Sequence, residues 1–417
     1  LSSLRRILFI SPVLPDKNGV GIEKRAWAHL DALKRIGEVD LVLIVRNKPN
    51  SRMAAFEDVE HLCRTVRTVY LHQTFLSRTF RFPLVTLILR VLAIGQPKWK
   101  LQDDFSDQFR QKKFWDEYSL LFCFRISPFF SIDYLIKPHF LKRTKFVIDF
   151  DDFESHAIER QIGGFKRFSG LEQQLISRVE LIETRIIEKR ALKHSDMVCV
   201  CSELDASRLR FLNTASAVHV VPNSYPNLSP LELKGESSVT RILFVGALNY
   251  APNEDAIVYF CNQILPIIRD AHSFDIDITI VGRKPSKSVL ALSRYPGVNV
   301  VGEVDDVRPY YNQADFVISP IRNGGGTRIK ILEALALGRP VVSTTIGAEG
   351  LNLRDGVEVL IADTSDGFAR ACLKLAGNSE LRKNLSRNGR LRFLELYEFD
   401  NVSRGFADEL NGMLLNQ

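Results

Sequence analysis

Short unbroken apolar runs alternate with longer amphipathic stretches along the 417 residues. The first run is Arg6-Ile-Leu-Phe-Ile10. A Pro/Gly loop to Gly21 follows, then a helical pattern from Ile22 to Ile36 and a second run from Val39 to Val45. The same succession returns later: Arg241 to Val245, a helical pattern from Glu254 to about Ile268, then Ile276 to Val281. Continuous apolar runs of this length suit strands buried on both faces, and intervening helices make βαβ units with a parallel sheet. Two such openings predict two doubly wound α/β domains.

The second half continues readably. Val298 to Gly302, Phe316 to Pro320, Val341 to Ser343 and Leu360 to Ala362 read as strands. Helices are expected from Arg328 to Leu337, stopped by Gly338-Arg-Pro340, and from about Asp366 to Ala376. The tail from Tyr397 onward is amphipathic, with Phe399, Val402, Phe406, Leu410 and Leu414 at helical spacing. Between the two openings, Val218 to Pro230 carries three prolines in a short polar stretch, and Lys234-Gly-Glu-Ser-Ser follows. This is the expected linker, with a first domain over 1–225 and a second over 238–396.

Charge and cysteine content narrow the setting. The net charge of +7 is uneven: residues 1–230 hold 35 Lys+Arg against 26 Asp+Glu, and residues 231–417 hold 21 against 23. The surplus is densest from Arg52 to Lys100 and suggests an anionic membrane face, an anionic acceptor or nucleic acid. No zinc finger, RNP-like motif or basic aromatic array supports the last, so no nucleic-acid partner is expected. The apolar stretch 80–95, with Arg81 and Arg90 inside it, is too short to span a bilayer; it reads as a core helix or an interfacial one. Six scattered cysteines without a CxxC pair or metal-ligand spacing fit reduced, buried thiols. Leu1-Ser-Ser-Leu-Arg-Arg6 runs straight into a strand-like segment, which reads as no signal peptide. A cytoplasmic protein is expected, with the inner face of the membrane as the setting in which the basic first half would make contact.

The strongest chemical constellation is Asn323-Gly-Gly-Gly-Thr-Arg-Ile-Lys-Ile-Leu-Glu333. Gly324, Gly325 and Gly326 let the backbone turn sharply and approach a ligand closely. A helix start after them offers free N–H groups and partial positive charge. Arg328 and Lys330 at that start oppose the macrodipole, and Arg322 lies just upstream. Three cations converging on a positive helix end predict a multiply charged anion between them. The loop is neither a Walker loop nor GxGxxG. Glu333 could accept hydrogen bonds from two ribose hydroxyls, or pair with a neighbouring base.

The run from Ala314 through the glycine loop to Val342 resembles the retaining GT-B glycosyltransferases of "group 1", in the branch with a Gly-Gly-Gly-Thr-Arg-x-Lys loop and near sugar transferases of exopolysaccharide assembly. Phe244 to Ala256, Val300 to Val304, Val147 to Ser155 and Val221-Pro-Asn223 fit the same branch. The resemblance implies the GT-B fold, two Rossmann-like domains facing across a cleft, with the nucleotide-sugar donor mostly on the second domain and the acceptor on the first. The C-terminal helix, about 397–417, would pack back on the first domain. It implies a metal-independent, hexosyltransferase-like enzyme without a cofactor, moving a sugar to a glycan or lipid-linked acceptor. Donor contacts carry over to Gly19, Gly21, Gly246, Asn253, Gly302, Arg322, Gly324, Gly325, Gly326, Thr327, Arg328, Lys330 and Glu333.

Two departures matter. The family's Glu-x7-Glu pattern would place its first Glu at Gly325, so only Glu333 remains. The usual Arg and Lys after the strand at Val245 are replaced near Ala247 and Asn253, which makes Arg328 and Lys330 the natural cations for the diphosphate and the leaving group. Asp152, in Asp149-Phe-Asp-Asp152, matches an aspartate of the branch and is expected to serve acceptor binding or proton transfer. A metal held by Asp-x-Asp, or His156 as base, are the alternatives. At the level of the whole chain, a nucleotide-sugar epimerase of the same fold and a non-catalytic sugar-nucleotide-binding subunit remain open.

Overall fold

The computed structural model describes residues 5–46, 53–73, 91, 99–101, 103–136, 143–151, 153–164, 171–211, 217–233, 238–271, 275–324 and 327–415. Asp152, Gly325 and Gly326 lie outside them, as does the stretch 80–95 apart from Val91. The chain divides into two compact units, Leu1–Pro222 with Asp400–Gln417, and Asn223–Phe399.

The first unit is built on an eight-stranded sheet. Its strands are β1 (Arg6–Ser11), β2 (Glu38–Val45), β3 (Thr65–Gln73), β4 (Trp99–Leu101), β5 (Leu120–Phe124), β6 (Lys145–Asp149), β7 (Met197–Val200) and β8 (Ala217–Val220). They lie in the order β4-β3-β2-β1-β5-β6-β7-β8, parallel throughout except for β3 with β4. Ile7 to Ile10 and Leu120 to Phe124 are buried, as strands sandwiched between helices must be. The helix Phe399–Leu415 belongs to this unit. Phe406, Ala407, Leu410 and Leu414 join the core of β1 and the helix Gly21–Lys34, and Ser403 donates to Asp31 at 2.5 Å.

The second unit has six parallel strands: β9 (Val239–Val245), β10 (Asp275–Val281), β11 (Val298–Gly302), β12 (Phe316–Ser319), β13 (Val341–Ser343) and β14 (Leu360–Ile361). Their order is β11-β10-β9-β12-β13-β14, the arrangement of a dinucleotide-binding sheet. The order reverses between β9 and β12. Chains leaving these two strands diverge to opposite sides, which opens a crevice at their carboxyl ends.

Three readings of the sequence change in detail. The proline-rich stretch is not a free linker: the division falls between Pro222 and Asn223, and Tyr225 is buried in the second unit, its backbone paired with Tyr397 and Phe399. A further helix, Ser379–Leu396, precedes the last one, capped by Asn378, whose side chain accepts from the Leu381 amide. It is rich in arginine and polar residues, so its apolar face is narrow. The helix expected from Glu254 to Ile268 starts at Ala251 and widens over Phe260–Ile264, just before Pro266, which has no N–H to give. Among the described residues, no helix is long and apolar enough to cross a membrane.

Candidate functional site

The site of the second unit is assembled where its strand order reverses. The loop after β9 brings Gly246 and the helix Ala251–Tyr259 with Asn253; the loop after β12 brings Gly324, Thr327 and Arg328. The helix Ile329–Ala336 then begins, with Arg328 as its N-cap residue in extended conformation and Lys330 in its first turn. Its buried face from Ile331 to Ala336 packs the helix into the core of the second unit.

Lys330 is the centre of this arrangement. Its ammonium donates to Asn253 Oδ1 at 2.8 Å and lies 4.2 Å from the centre of the Phe244 ring. A Cβ on Gly246 would come within 2.8 Å of the same nitrogen, so a side chain there would push the lysine from its place. No carboxylate among the described residues is within ion-pair distance of it. Burial, reinforced by Arg328, brings the lysine down to about 7, with Glu333 opposing. The group is therefore a partly buried amine whose charged form an arriving anion would favour.

Glycine backbones line the carboxyl ends of the strands beside it. The Gly246 amide donates to Val281 O, and the Gly282 amide to Gly302 O. A Cβ on Gly282 would sit 1.7 Å from the Gly246 carbonyl. Gly302 has φ +87° with open space where a side chain would stand. Gly324 has φ +108°, and a Cβ there would be 3.2 Å from Arg328 Nη2. Thr327 accepts from Asn223 Nδ2 at 2.5 Å.

Glu333 is buried, and both of its oxygens are engaged by phenols. Tyr225 Oη donates to Oε1, and Tyr311 Oη donates to Oε2 at 2.9 Å. This differs from the Arg or Lys pairing that a helix carboxylate invites. Arg322 also departs from expectation. It forms a two-pronged, half-exposed pair with Asp255 at 2.6 and 3.1 Å and stacks over Tyr259, while Arg328 and Lys330 stand at the helix start itself.

The first unit has its own reversal point, between β1 and β5. Gly19 lies in the loop after β1 and Gly21 opens the helix that follows. That helix carries two polar residues on its buried face, Arg25 and His29. Arg25 makes a bidentate pair with Asp149 at 2.7 and 2.8 Å and donates to Val221 O at 2.9 Å. His29 Nε2 lies 2.6 Å from Asp149 Oδ2. Burial would raise the Asp149 carboxyl, but Arg25 and His29 outweigh it and hold it well below its ordinary range. Burial lowers His29. Asp151 is 3.3 Å from Arg25 and 3.4 Å from Arg125, and both Asp151 and Arg125 have positive φ, 59° and 67°. Asp149 is thus the counter-ion of a buried arginine, which removes it from the Asp-x-Asp metal alternative. Arg25 and His29 stand four residues apart beside Ala26, Leu30 and Leu33, which puts them on one helix face but does not by itself tie them to Asp149.

Comparison with known proteins bears on both units. Residues 239–378 match the family model "Glycosyl transferases group 1". An uncharacterized 44.6 kDa protein in the cps region of Klebsiella pneumoniae is 27% identical over 191 residues, 44% of this chain and 49% of that protein. The lipopolysaccharide core biosynthesis glycosyltransferase LpsE of Rhizobium meliloti is 38% identical over 95 residues, 22% of this chain and 27% of that one. The chain thus spans about half, or less, of the length of these curated relatives. Among solved structures, sucrose-phosphate synthase from Thermosynechococcus elongatus matches with TM-score 0.65 and 16% identity, over 99% of this chain and all of that one. Anabaena HepE, solved in complex with UDP, matches with TM-score 0.63 and 12% identity over 98% of this chain and 100% of its own. The fold is GT-B. Its two parallel-sheet α/β units match these structures along the whole chain.

Proposed function

We propose that this chain is a retaining, metal-independent glycosyltransferase that moves a sugar from a nucleotide-diphosphate donor to a glycan or lipid-linked acceptor. The observation that carries the reading is the partly buried Lys330 amine, held at the reversal point of the second sheet beside glycine backbone and a helix start, with Arg328 adjacent. A diphosphate offsets both cations and accepts from the helix N–H groups. The same groups meet negative charge as it grows on the leaving diphosphate, so they assist departure as well as binding. The family match over 239–378 includes this whole site. HepE is solved with UDP, and LpsE is named for lipopolysaccharide core synthesis, which favours a nucleotide donor and a surface polysaccharide product.

In this reading the acceptor is attacked on the face from which the diphosphate leaves, and the leaving phosphate helps to take its proton. Asp152 assists acceptor binding or proton transfer. The enzyme works in the cytoplasm, where the inner face of the membrane is the place to meet a lipid-linked acceptor, needs no cofactor and binds no nucleic acid. The test is thermal stabilisation by UDP-, GDP- and ADP-sugars, followed by transfer to added acceptor. A ligand bound only by the folded state raises the melting temperature. Arg328→Ala with Lys330→Ala abolishes the shift; a shift that survives both changes rules out this diphosphate site.

A further inference from the structure

We propose that Tyr225 and Tyr311 are positioning residues that hold the Glu333 carboxylate ready for the two hydroxyls of a ribose, and so make the site prefer ribonucleotides to deoxyribonucleotides. The proposal rests on the donor-site reading above.

The two phenols grip the carboxylate from both sides, one on each oxygen. Each carboxylate oxygen has about two acceptor positions, so the grip uses one on each side and leaves one on each side. Neither ring is free to swing away. Tyr311 is fully buried on the helix Arg308–Gln313, and the Tyr225 backbone is held at 3.0 Å both from Tyr397 O and to the Phe399 amide. Burial and the charge of Glu333 push both phenols up, so they keep their protons and remain donors. Glu333 makes no ion pair among the described residues. Its charge is steadied by hydroxyls rather than neutralised by a cation, which leaves it a strong acceptor.

Spacing along the helix matches the order of groups in a nucleoside diphosphate. Glu333 stands three residues after Lys330, on the neighbouring turn of the same face. A diphosphate at Lys330 puts the attached ribose next to Glu333. A site built around buried acceptors for hydroxyls discriminates against a ligand that lacks one.

The experiment is calorimetric titration of the full chain with UDP, GDP and ADP and with their 2′-deoxy counterparts. The unmodified protein binds its preferred ribonucleotide about tenfold more tightly than the deoxy form, equivalent to about 1.4 kcal/mol. Tyr225→Phe with Tyr311→Phe brings the ratio below about threefold by weakening the ribonucleotide alone, and each single change gives an intermediate ratio. Glu333→Gln has the same effect, and the tyrosine changes add nothing to it. Equal weakening of both ligand forms, or a ratio unchanged in the double variant, overturns the assignment, because a merely structural pair would behave so. Binding without ribose preference in the unmodified protein overturns this proposal alone. Binding of none of the three nucleotides overturns the donor-site reading with it.

Discussion

The Lys330 ammonium donates to Asn253 Oδ1 at 2.8 Å, and Asn253 Nδ2 donates in turn to the Ala247 carbonyl at 3.0 Å. The amide is thereby fixed in the orientation that presents oxygen to the lysine. One neutral acceptor does not compensate for lost hydration, and the lysine falls to about 7. An arriving diphosphate favours the charged form and raises it again. Between about pH 7.5 and 9, nucleotide binding therefore takes up close to one proton, and affinity declines as pH rises. Titration calorimetry in buffers of different ionisation enthalpy measures the uptake directly. Lys330→Ala shows weaker binding with no such uptake; a wild-type value near zero at pH 8 contradicts the lysine's place in the site.

Two glycines at the carboxyl ends of β9 and β10 should fail in different ways. A methyl group at Gly282 meets the Gly246 carbonyl at 1.7 Å, a contact that only backbone movement relieves. Gly282→Ala is expected to destabilise the fold by about 1–3 kcal/mol. A methyl group at Gly246 meets the ends of Lys330 and Asn253, which are side chains that can shift. Gly246→Ala keeps the melting temperature within a few degrees but lowers nucleotide affinity about tenfold. Melting curves and titrations of the two variants separate these outcomes, and a reversed pattern refutes the assignment.

The frame of the fold was legible because a strand buried on both faces must be an unbroken apolar run, and β1 and β9 are such runs. The glycine loop, Arg328 and Lys330 were legible because they are adjacent in sequence. What escaped was set by distant contacts. Arg322 pairs with Asp255, 67 residues away, a contact that spacing along the chain does not show. Tyr225 sat in a stretch whose prolines suggested a linker, and Tyr311 looked like a core aromatic. Neither residue type nor spacing ties them to Glu333. Arg25 and His29 resembled ordinary helix polar residues, since burial of their face depends on strands formed far along the chain.

The buried pair of Arg25 and Asp149 makes a stability prediction independent of any ligand. Its members are essentially inaccessible, with side-chain exposures of 2% and 0%. Removing one partner strands the other charge in the core, which costs about 3–5 kcal/mol. Arg25→Met should therefore lower the denaturation midpoint far more than Arg35→Met, whose exposed pairs with Asp31 and Asp400 contribute about 0–1 kcal/mol. Comparable losses in the two variants would contradict the role given to the buried pair.

The same cluster sets the response to acid. His29 is lowered from 6.5, so the unfolded chain binds its proton first as pH falls. Stability therefore declines below about pH 6.5 through this residue. Asp149 is also depressed, from 3.8, and here too the unfolded chain protonates first, so a second decline begins near pH 4 and continues below it. Both losses run in the same direction but in separate windows. His29→Phe, which keeps a ring against Phe122, Phe124 and Phe406, should flatten the decline between pH 7 and 5 and leave the one below pH 4 in place. Urea denaturation at pH 7, 5 and 3.5 measures both windows. If the variant keeps the full loss between pH 7 and 5, that loss belongs to other groups, and His29 is not the residue that charges on unfolding.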